Sequence, residues 1–502
     1  MSEGEGGSGP SAGGSLKTRT VRSLGVVLLF RLLTVGYQVF KARLLDRASV
    51  GIFSIGETLV VLSQPFADPG IERAAVQIPG DDRKVLNTAL LLRFAFAVPC
   101  YAAIWFLAPY WGAWQGGDHT RAVVWVIRLV GLNLLIGVPS IVPSAEYTRR
   151  LRFGRNETAQ FIAVLVSSLL GMGLLYWTSL GYRAVAISAL ANVGCYTAFV
   201  CVMNRGHFHA AWDRGTARAL LSYGKHAFAS GLLISVINNV DYVIVGRICG
   251  LRELGVYLIA FTWGHFVVLH FTAVASKVMF PTLSRLQSDP DRFRAAYLHN
   301  LRFGAFLVCP MALGLAAVAP QFVPRVLGPT WDPDVTRLLP LLCAYGCLRS
   351  FASIHGDALS ASGNPRLVTL TSFLFVALVV PSAILAAEGW GAFGLICAFL
   401  SVSFLANLFA IGLVRKTIGA RVAEVGGWIL RPLVSALLMA GAVRGLGVLW
   451  PGTAWPHLLV LVFAGVWLYL GASALLQRAT VAEAWRLLLR GLLPSVDAPQ
   501  RG

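Results

Sequence analysis

Apolar stretches of about twenty residues, each long enough to cross ~30 Å of hydrocarbon, recur along nearly the whole chain, and short polar connections separate them. They begin near Val21, Ala48, Leu86, Ala122, Thr158, Ala184, Ser222, Gly255, Phe303, Val335, Leu367, Ala392, Trp428 and Leu458. The pattern predicts an all-α, polytopic membrane protein with about fourteen transmembrane helices. Pro65, Pro99, Pro139 and Pro310 fall inside these stretches. They would end a soluble helix, but membrane helices tolerate them as kinks because neighbouring groups satisfy the freed carbonyls.

Composition narrows the class. Of 502 residues, 56% are apolar and 13% charged, which excludes most soluble enzymes and disordered proteins. The first sixteen residues are Gly/Ser-rich and lack an apolar signal region, so 1–16 reads as a flexible tail and the first span directs insertion. The eight cysteines fall in or beside apolar stretches without paired spacing in polar loops, which points to neither a disulfide framework nor a zinc site.

The net charge of +19 suggests loops facing anionic lipid rather than a nucleic-acid partner. Loops of one parity hold 27 of the 42 Lys and Arg, the other parity ten, and the spans five. By the positive-inside rule both termini are cytoplasmic, and an odd number of spans would scramble this alternation.

An internal repeat accounts for the organisation. At an offset of about 204, Ala42-Arg43-Leu44 and Gly51-Ile52-Phe53 align with Gly246-Arg247-Ile248 and Gly255-Val256-Tyr257, and each Arg precedes its Gly by eight residues. Ala108-Pro109 matches Ala319-Pro320, and Gly181-x-x-Ala184 matches Gly391-x-x-Gly394. Two six-helix bundles follow, 17–205 and 206–420, with an additional helix pair at 421–480 and a cytoplasmic tail at 481–502. Six is even, so both bundles enter from one face as a parallel repeat, with the substrate path expected between them.

The run Asn238-Asn239-Val240-Asp241-Tyr242-Val243-Ile244-Val245-Gly246-Arg247, followed by Leu254-Gly255-Val256-Tyr257, resembles the signature of the polysaccharide transporter family, the Wzx-type flippases. Phe280-Pro281-Thr282-Leu283-Ser284-Arg285, Val326-Leu327-Gly328-Pro329-Thr330-Trp331 and Phe66-Ala67-Asp68-Pro69-Gly70 add to it, over roughly 17–420. Pro69 is a departure, since the family usually has Gly or one small residue after the Asp.

The resemblance implies the multidrug/oligolipid/polysaccharide exporter fold and a cavity opening alternately to the two sides. It also implies an undecaprenyl-pyrophosphate-linked oligosaccharide as cargo, for O-antigen, capsule or exopolysaccharide assembly in a bacterial cytoplasmic (inner) membrane. Membrane lipids, an H+ or Na+ gradient, a polysaccharide polymerase and a chain-length regulator are the implied partners. Rival readings are another exporter of that superfamily, for lipid II or for drugs by cation antiport, or a membrane glycan polymerase or ligase.

A charge at mid-bilayer costs ~2.5–3.5 kcal/mol on insertion scales, so intramembrane ions are functional candidates. The cavity candidates for pyrophosphate and sugar are Arg31, Arg43, Arg93, Asn238, Arg247, Lys277 and Arg349. Arg31 and Arg43 lie about 120° apart on a helix and need not line one surface. Arg43 and its repeat mate Arg247 could instead cap helix ends, and Lys277 could snorkel. Asn238 and Asp241 share a helical face. Asp241 either pairs with a buried Arg such as Arg31 or exchanges a proton or sodium ion, and Glu57 and Asp357 are further ion-coupling or ion-pair candidates.

Asp81-Asp82, Asp289-Pro290-Asp291 and Asp332-Pro333-Asp334 read as turns or helix starts rather than metal ligands. His265 and His270 are poorly spaced for a metal, and no nucleotide-binding P-loop or H-E-x-x-H is present. No cofactor is expected. With no long outer loop or soluble domain to carry catalysis, the chain reads as a non-enzyme.

Overall fold

The computed structural model describes residues 33–78, 82–150, 152–204, 212–265, 273–450, 452, 454–483 and 486. Among them every regular element is helical. The chain runs through α1 (33–44), α2 (Arg47–Ala67), α3 (Ile71–Gln77), α4 (Asp82–Gly116), α5 (Thr120–Gly131), α6 (Asn133–Ile136), α7 (Ile141–Arg149), α8 (Phe153–Trp177) and α9 (Tyr182–Met203). It continues through α10 (Arg214–Ile248), α11 (Leu251–Gly264), α12 (Ala273–Arg285), α13 (Pro290–Phe322), α14 (Asp334–Ala361), α15 (Pro365–Ile418), α16 (Val422–Leu449) and α17 (Trp455–Leu476).

Among the described residues, eleven helices are long and apolar enough to cross a membrane. One of them, α15, is 54 residues long and is two helices joined at Trp390 and Gly391, where the backbone leaves helical geometry. The spans expected from Val21 and from Gly255 both run through residues outside the described ones, so the described helices do not by themselves reach fourteen. Large apolar side chains point outward all along α15 and α17, among them Leu385 at 71% exposure, Phe463 at 64% and Trp467 at 72%. Such faces are stable against hydrocarbon, not water, and the chain is a multi-pass membrane protein.

Contacts gather the chain into two compact units. The first comprises Met1–Leu45, Leu59–Gly112 and Arg121–Ser235; the second comprises Asp46–Thr58, Ala113–Thr120 and Val236–Gly502. Helices α2 and α10 therefore each contribute to both. In the first unit, Ile71 and Ala74 of α3, Leu86 and Ala89 of α4, Ile141 and Ala145 of α7 and Leu220 of α10 form one buried apolar cluster. The turn feeding α3 is Asp68-Pro69-Gly70. Asp68 Oδ1 accepts from the Ile71 N–H at 2.8 Å, and Gly70 sits at φ +80°, a conformation that favours glycine. In the second unit α13 packs against α14 and α16, and the final pair α16–α17 packs on itself and on α13. Arg302 of α13 donates at 2.7 Å to Glu483 and at 2.8 Å to Thr480 just beyond α17.

Two pairs of repeat-related glycines behave alike. Gly181 (φ +52°, ψ −122°) precedes α9 and Gly391 (φ +61°, ψ −149°) marks the break in α15, so each adopts a backbone that L side chains rarely take. Within the second unit, Gly51 of α2 lies against the backbone of Leu251, and Gly255 of α11 lies against the backbone of Arg47. Residues 47 and 251 are themselves mates at the 204 offset, so the contact is reciprocal, as in a two-fold interface. A Cβ at either glycine would overlap main chain, which cannot swing away as a side-chain tip can.

As read in the sequence, Asp289 starts a helix: its carboxylate accepts from the Arg292 N–H at 3.1 Å. Among the described residues no group of three or more His, Cys, Asp or Glu could hold a metal.

Replacing Gly255 with Val should separate α2 from α11 or strain both, at the ~1–3 kcal/mol typical of overpacking. Gly441 has open space around it, so Gly441→Ala is the control. Thermal unfolding in detergent checks this; equal melting temperatures for the two variants would refute the close approach.

Candidate functional site

The polar candidates converge in the second unit on α10, α11 and α14. Asn238, Asp241 and Tyr242 occupy one face of α10, and Tyr257, Phe261 and His265 repeat every four residues along α11 into its C-terminal cap. Tyr345 and Arg349 stand one turn apart on α14. These spacings stack side chains on single helical faces. Tyr242 meets Phe261 edge-on at 5.5 Å, Phe261 stacks on His265 at 3.9 Å, and His265 lies 4.9 Å from Tyr345.

Asp241 is buried, at 2% exposure. Its Oδ2 accepts from the Tyr257 hydroxyl at 2.7 Å, while Oδ1 has no hydrogen-bond partner among the described residues. Arg349 donates to Asn238 Oδ1 at 3.2 Å and lies close enough to interact electrostatically with Asp241 and His265. Both ring nitrogens of buried His265 also lack partners among the described residues. A buried polar group left unpaired costs ~1–3 kcal/mol, so this cluster is under-satisfied in a manner a core built only for stability avoids. Chemically, a carboxylate with a free oxygen can hold a proton or a small cation, and the guanidinium beside it can answer an anion. Beside it, Arg349, Ser403 and Asn407 line a cavity of about 130 Å³.

Asn238, Asp241 and Arg349 are thus brought together, and Glu57 of α2 is near enough to Tyr242 to act on it electrostatically. Asp357 is held elsewhere, accepting from Ser276 at 2.5 Å. Arg247 is exposed at the end of α10, 5.9 Å from the Trp114 ring. In the first unit Arg43 is exposed near the end of α1. Arg93 is clamped there by Asp68 at 3.1 Å and Glu72 at 2.8 Å, so its charge is already balanced. Arg31 and His270 lie outside the described residues, as does the side chain of Lys277. Sequence reasoning missed Tyr257, His265 and Tyr345. The four-residue rhythm Tyr257-Phe261-His265 was visible, but it also describes an ordinary packed face.

Fold and site together define a polytopic helical membrane protein with a buried polar cluster. The family described as polysaccharide biosynthesis protein matches residues 41–336, and the chain belongs to that family. It is 20% identical over 387 residues to the lipopolysaccharide biosynthesis protein WzxC of Escherichia coli K12, covering 75% of this chain and 76% of that one. Two solved structures share the fold. The lipid II flippase MurJ, in an inward closed conformation, matches at TM-score 0.72 and 14% identity over 93% of this chain and 99% of its own. An inward-facing multidrug resistance MATE transporter of the MOP superfamily matches at TM-score 0.60 and 14% identity, over 78% and 96%.

Removing the Tyr257 hydroxyl leaves both Asp241 oxygens without a partner, so Tyr257→Phe should destabilise by about 1–3 kcal/mol. Adding Asp241→Asn should recover part of that loss, since an amide carries no charge to strand. Melting temperatures of the two singles and the double check the coupling; strict additivity would show that the pair is not linked.

Proposed function

We propose that this protein is a flippase that carries undecaprenyl-pyrophosphate-linked oligosaccharide across the bacterial cytoplasmic membrane for polysaccharide assembly. The observation that carries the proposal is the family match over residues 41–336. The fold alone does not choose the cargo, because a lipid II flippase and a multidrug transporter both share it. The family supports a glycan, and the intramembrane cations suit an anionic pyrophosphate better than a cationic drug. The chain is proposed to work without catalysis, in two six-helix bundles, 17–205 and 206–420, with both termini cytoplasmic. The cation excess of one loop parity supports that topology.

Alternating access needs an energy source, and the chain has no P-loop. We assign coupling to Asp241: loading its carboxylate with H+ or Na+ would neutralise a charge held in a dry site, and release would restore the attraction to Arg349. Arg31, Arg349 and Asn238 are the proposed pyrophosphate and sugar contacts. A polymerase and a chain-length regulator are the proposed downstream partners.

In cells lacking a glycan flippase, the chain should restore surface polysaccharide and clear lipid-linked glycan from the inner leaflet, without changing susceptibility to cationic dyes. Dye resistance with no glycan export would favour the drug exporter instead. Arg31→Ala should lower the affinity for the carrier about ten- to a hundredfold, the loss of one charge-assisted contact. Normal translocation at normal abundance would remove Arg31 from the site. Cysteines placed at Ser8 and Gln500 should resist labelling from outside intact cells, and labelling of either overturns the topology.

A further inference from the structure

The second unit contains a cavity that the proposed transport cycle does not use. It has a volume of about 780 Å³, within the ~300–1,000 Å³ of small-molecule sites. Its walls come from the start of α2, the end of α4 with the α4–α5 connection, the α10–α11 turn with the helix ends beside it, and Thr330 ahead of α14. These are the connections between the first and second, third and fourth, seventh and eighth, and ninth and tenth expected spans. All four have the parity poor in cations, and on the topology proposed above they face outward.

That face holds only ten of the Lys and Arg, and the positive-inside rule asks for none of them. Yet three, Arg47, Arg247 and Arg252, line this one cavity. Arg47 is committed, reaching the Asp334 carboxylate and donating at 2.6 Å to the Thr330 carbonyl. Arg247 and Arg252 are exposed, and neither forms a salt bridge among the described residues. The Trp114 ring, 46% exposed, stands 5.9 Å from the Arg247 guanidinium.

Next to it Gln115 is buried at 5% exposure. Its Nε2 donates to the Val243 carbonyl at 3.1 Å, and its Oε1 has no partner. Oε1 rests over Gly246, where a Cβ would approach it to 3.0 Å. The amide is thus fixed behind the cavity wall and holds the end of α4, and with it Trp114, in place. Asp46 and Asp118 add carboxylates to the lining; Asp46 is committed to the Ala48 and Ser49 N–H groups, which leaves Arg247 and Arg252 as the exposed cations against Asp118.

We propose that this cavity is an outward-side binding site for the glycan portion of the cargo, specifically for a short segment bearing uronic-acid residues. An indole face takes the apolar side of a pyranose ring. Arg247 and Arg252 take a sugar carboxylate through charge-assisted hydrogen bonds. Asp118, exposed at the cavity, accepts from sugar hydroxyls. The same cations could answer a phosphate, but neither the indole nor the carboxylate acceptor has a use for one. The proposal rests on a glycan being the cargo; a held segment would keep the delivered glycan from returning as the protein resets.

The test measures binding, not transport, so it can fail while the flippase reading stands, and the reverse. Full-length protein in detergent or nanodiscs is titrated calorimetrically with trigalacturonate, a hyaluronan tetrasaccharide, maltotriose and inorganic pyrophosphate. The expected result is binding of an acidic oligosaccharide and weaker binding of maltotriose. Trp114→Ala and Arg247→Gln should each weaken it by about tenfold, the scale of one charge-assisted contact, whereas Trp114→Phe should retain most of it. Arg444→Gln, an outer cation away from the cavity, should bind like the parent, and melting curves show which variants are folded. The proposal is overturned if neither acidic oligosaccharide binds, if maltotriose binds equally well, if pyrophosphate competes on equal terms, or if folded Trp114→Ala and Arg247→Gln bind like the parent.

Discussion

Hydrocarbon offers no hydrogen bonds, and that fact governs the rest of the molecule. Every backbone N–H and C=O within the bilayer must be satisfied by the chain itself, which leaves helices as the solution here. Each buried charge must likewise find its answer inside the protein. Arg93 does so with two carboxylates, and Arg302 with Glu483 and Thr480. Glycines then set how closely those helices approach, since van der Waals contact rather than water expulsion holds them together. The reciprocal seating of Gly51 and Gly255 on each other's helix start is the tightest expression of that rule.

Against this background of paired charges, the α10–α11–α14 cluster stands apart. Among the described residues Asp241 Oδ2 accepts from Tyr257 and Oδ1 is unanswered, and the ring nitrogens of His265 are unanswered too. Leaving polar groups under-satisfied is a cost that a folded protein tolerates where the group must change partner or charge during its work. The aromatic stack of Tyr242, Phe261, His265 and Tyr345 is part of the packing in which Asp241 is buried. A dry setting makes the charge state of Asp241 matter energetically, because electrostatic interactions there are weakly screened.

Glycines that match in the sequence share local geometry, while the charged residues of the two units do not share chemistry. Gly181 and Gly391 take the same unusual backbone. Arg93 of the first unit is neutralised, whereas Arg349 of the second sits beside a carboxylate with a free oxygen. Packing constraints fall on small residues and apolar faces, which leaves charged side chains free to differ between similar backbones.

Much of the architecture was legible in the residues alone, for physical reasons. Spanning helices advertise themselves by length and hydropathy, and Gly51, Gly181, Gly255 and Gly391 by residue type, since a close approach or a positive φ requires glycine there. The grouping of Asn238 with Asp241 followed from helical spacing. What the sequence could not decide was which face of each helix meets which neighbour, since apolar side chains suit lipid and protein alike. Only tertiary structure gave Asp241 a partner in Tyr257, drew Arg349 toward it and His265 beside it, and showed Arg93 already paired. It alone gathered Arg47, Trp114, Arg247 and Thr330, far apart in sequence, around one cavity. Spacing within a helix fixes neighbours three and four residues away, but contacts between helices depend on rotation and depth, which hydropathy does not encode.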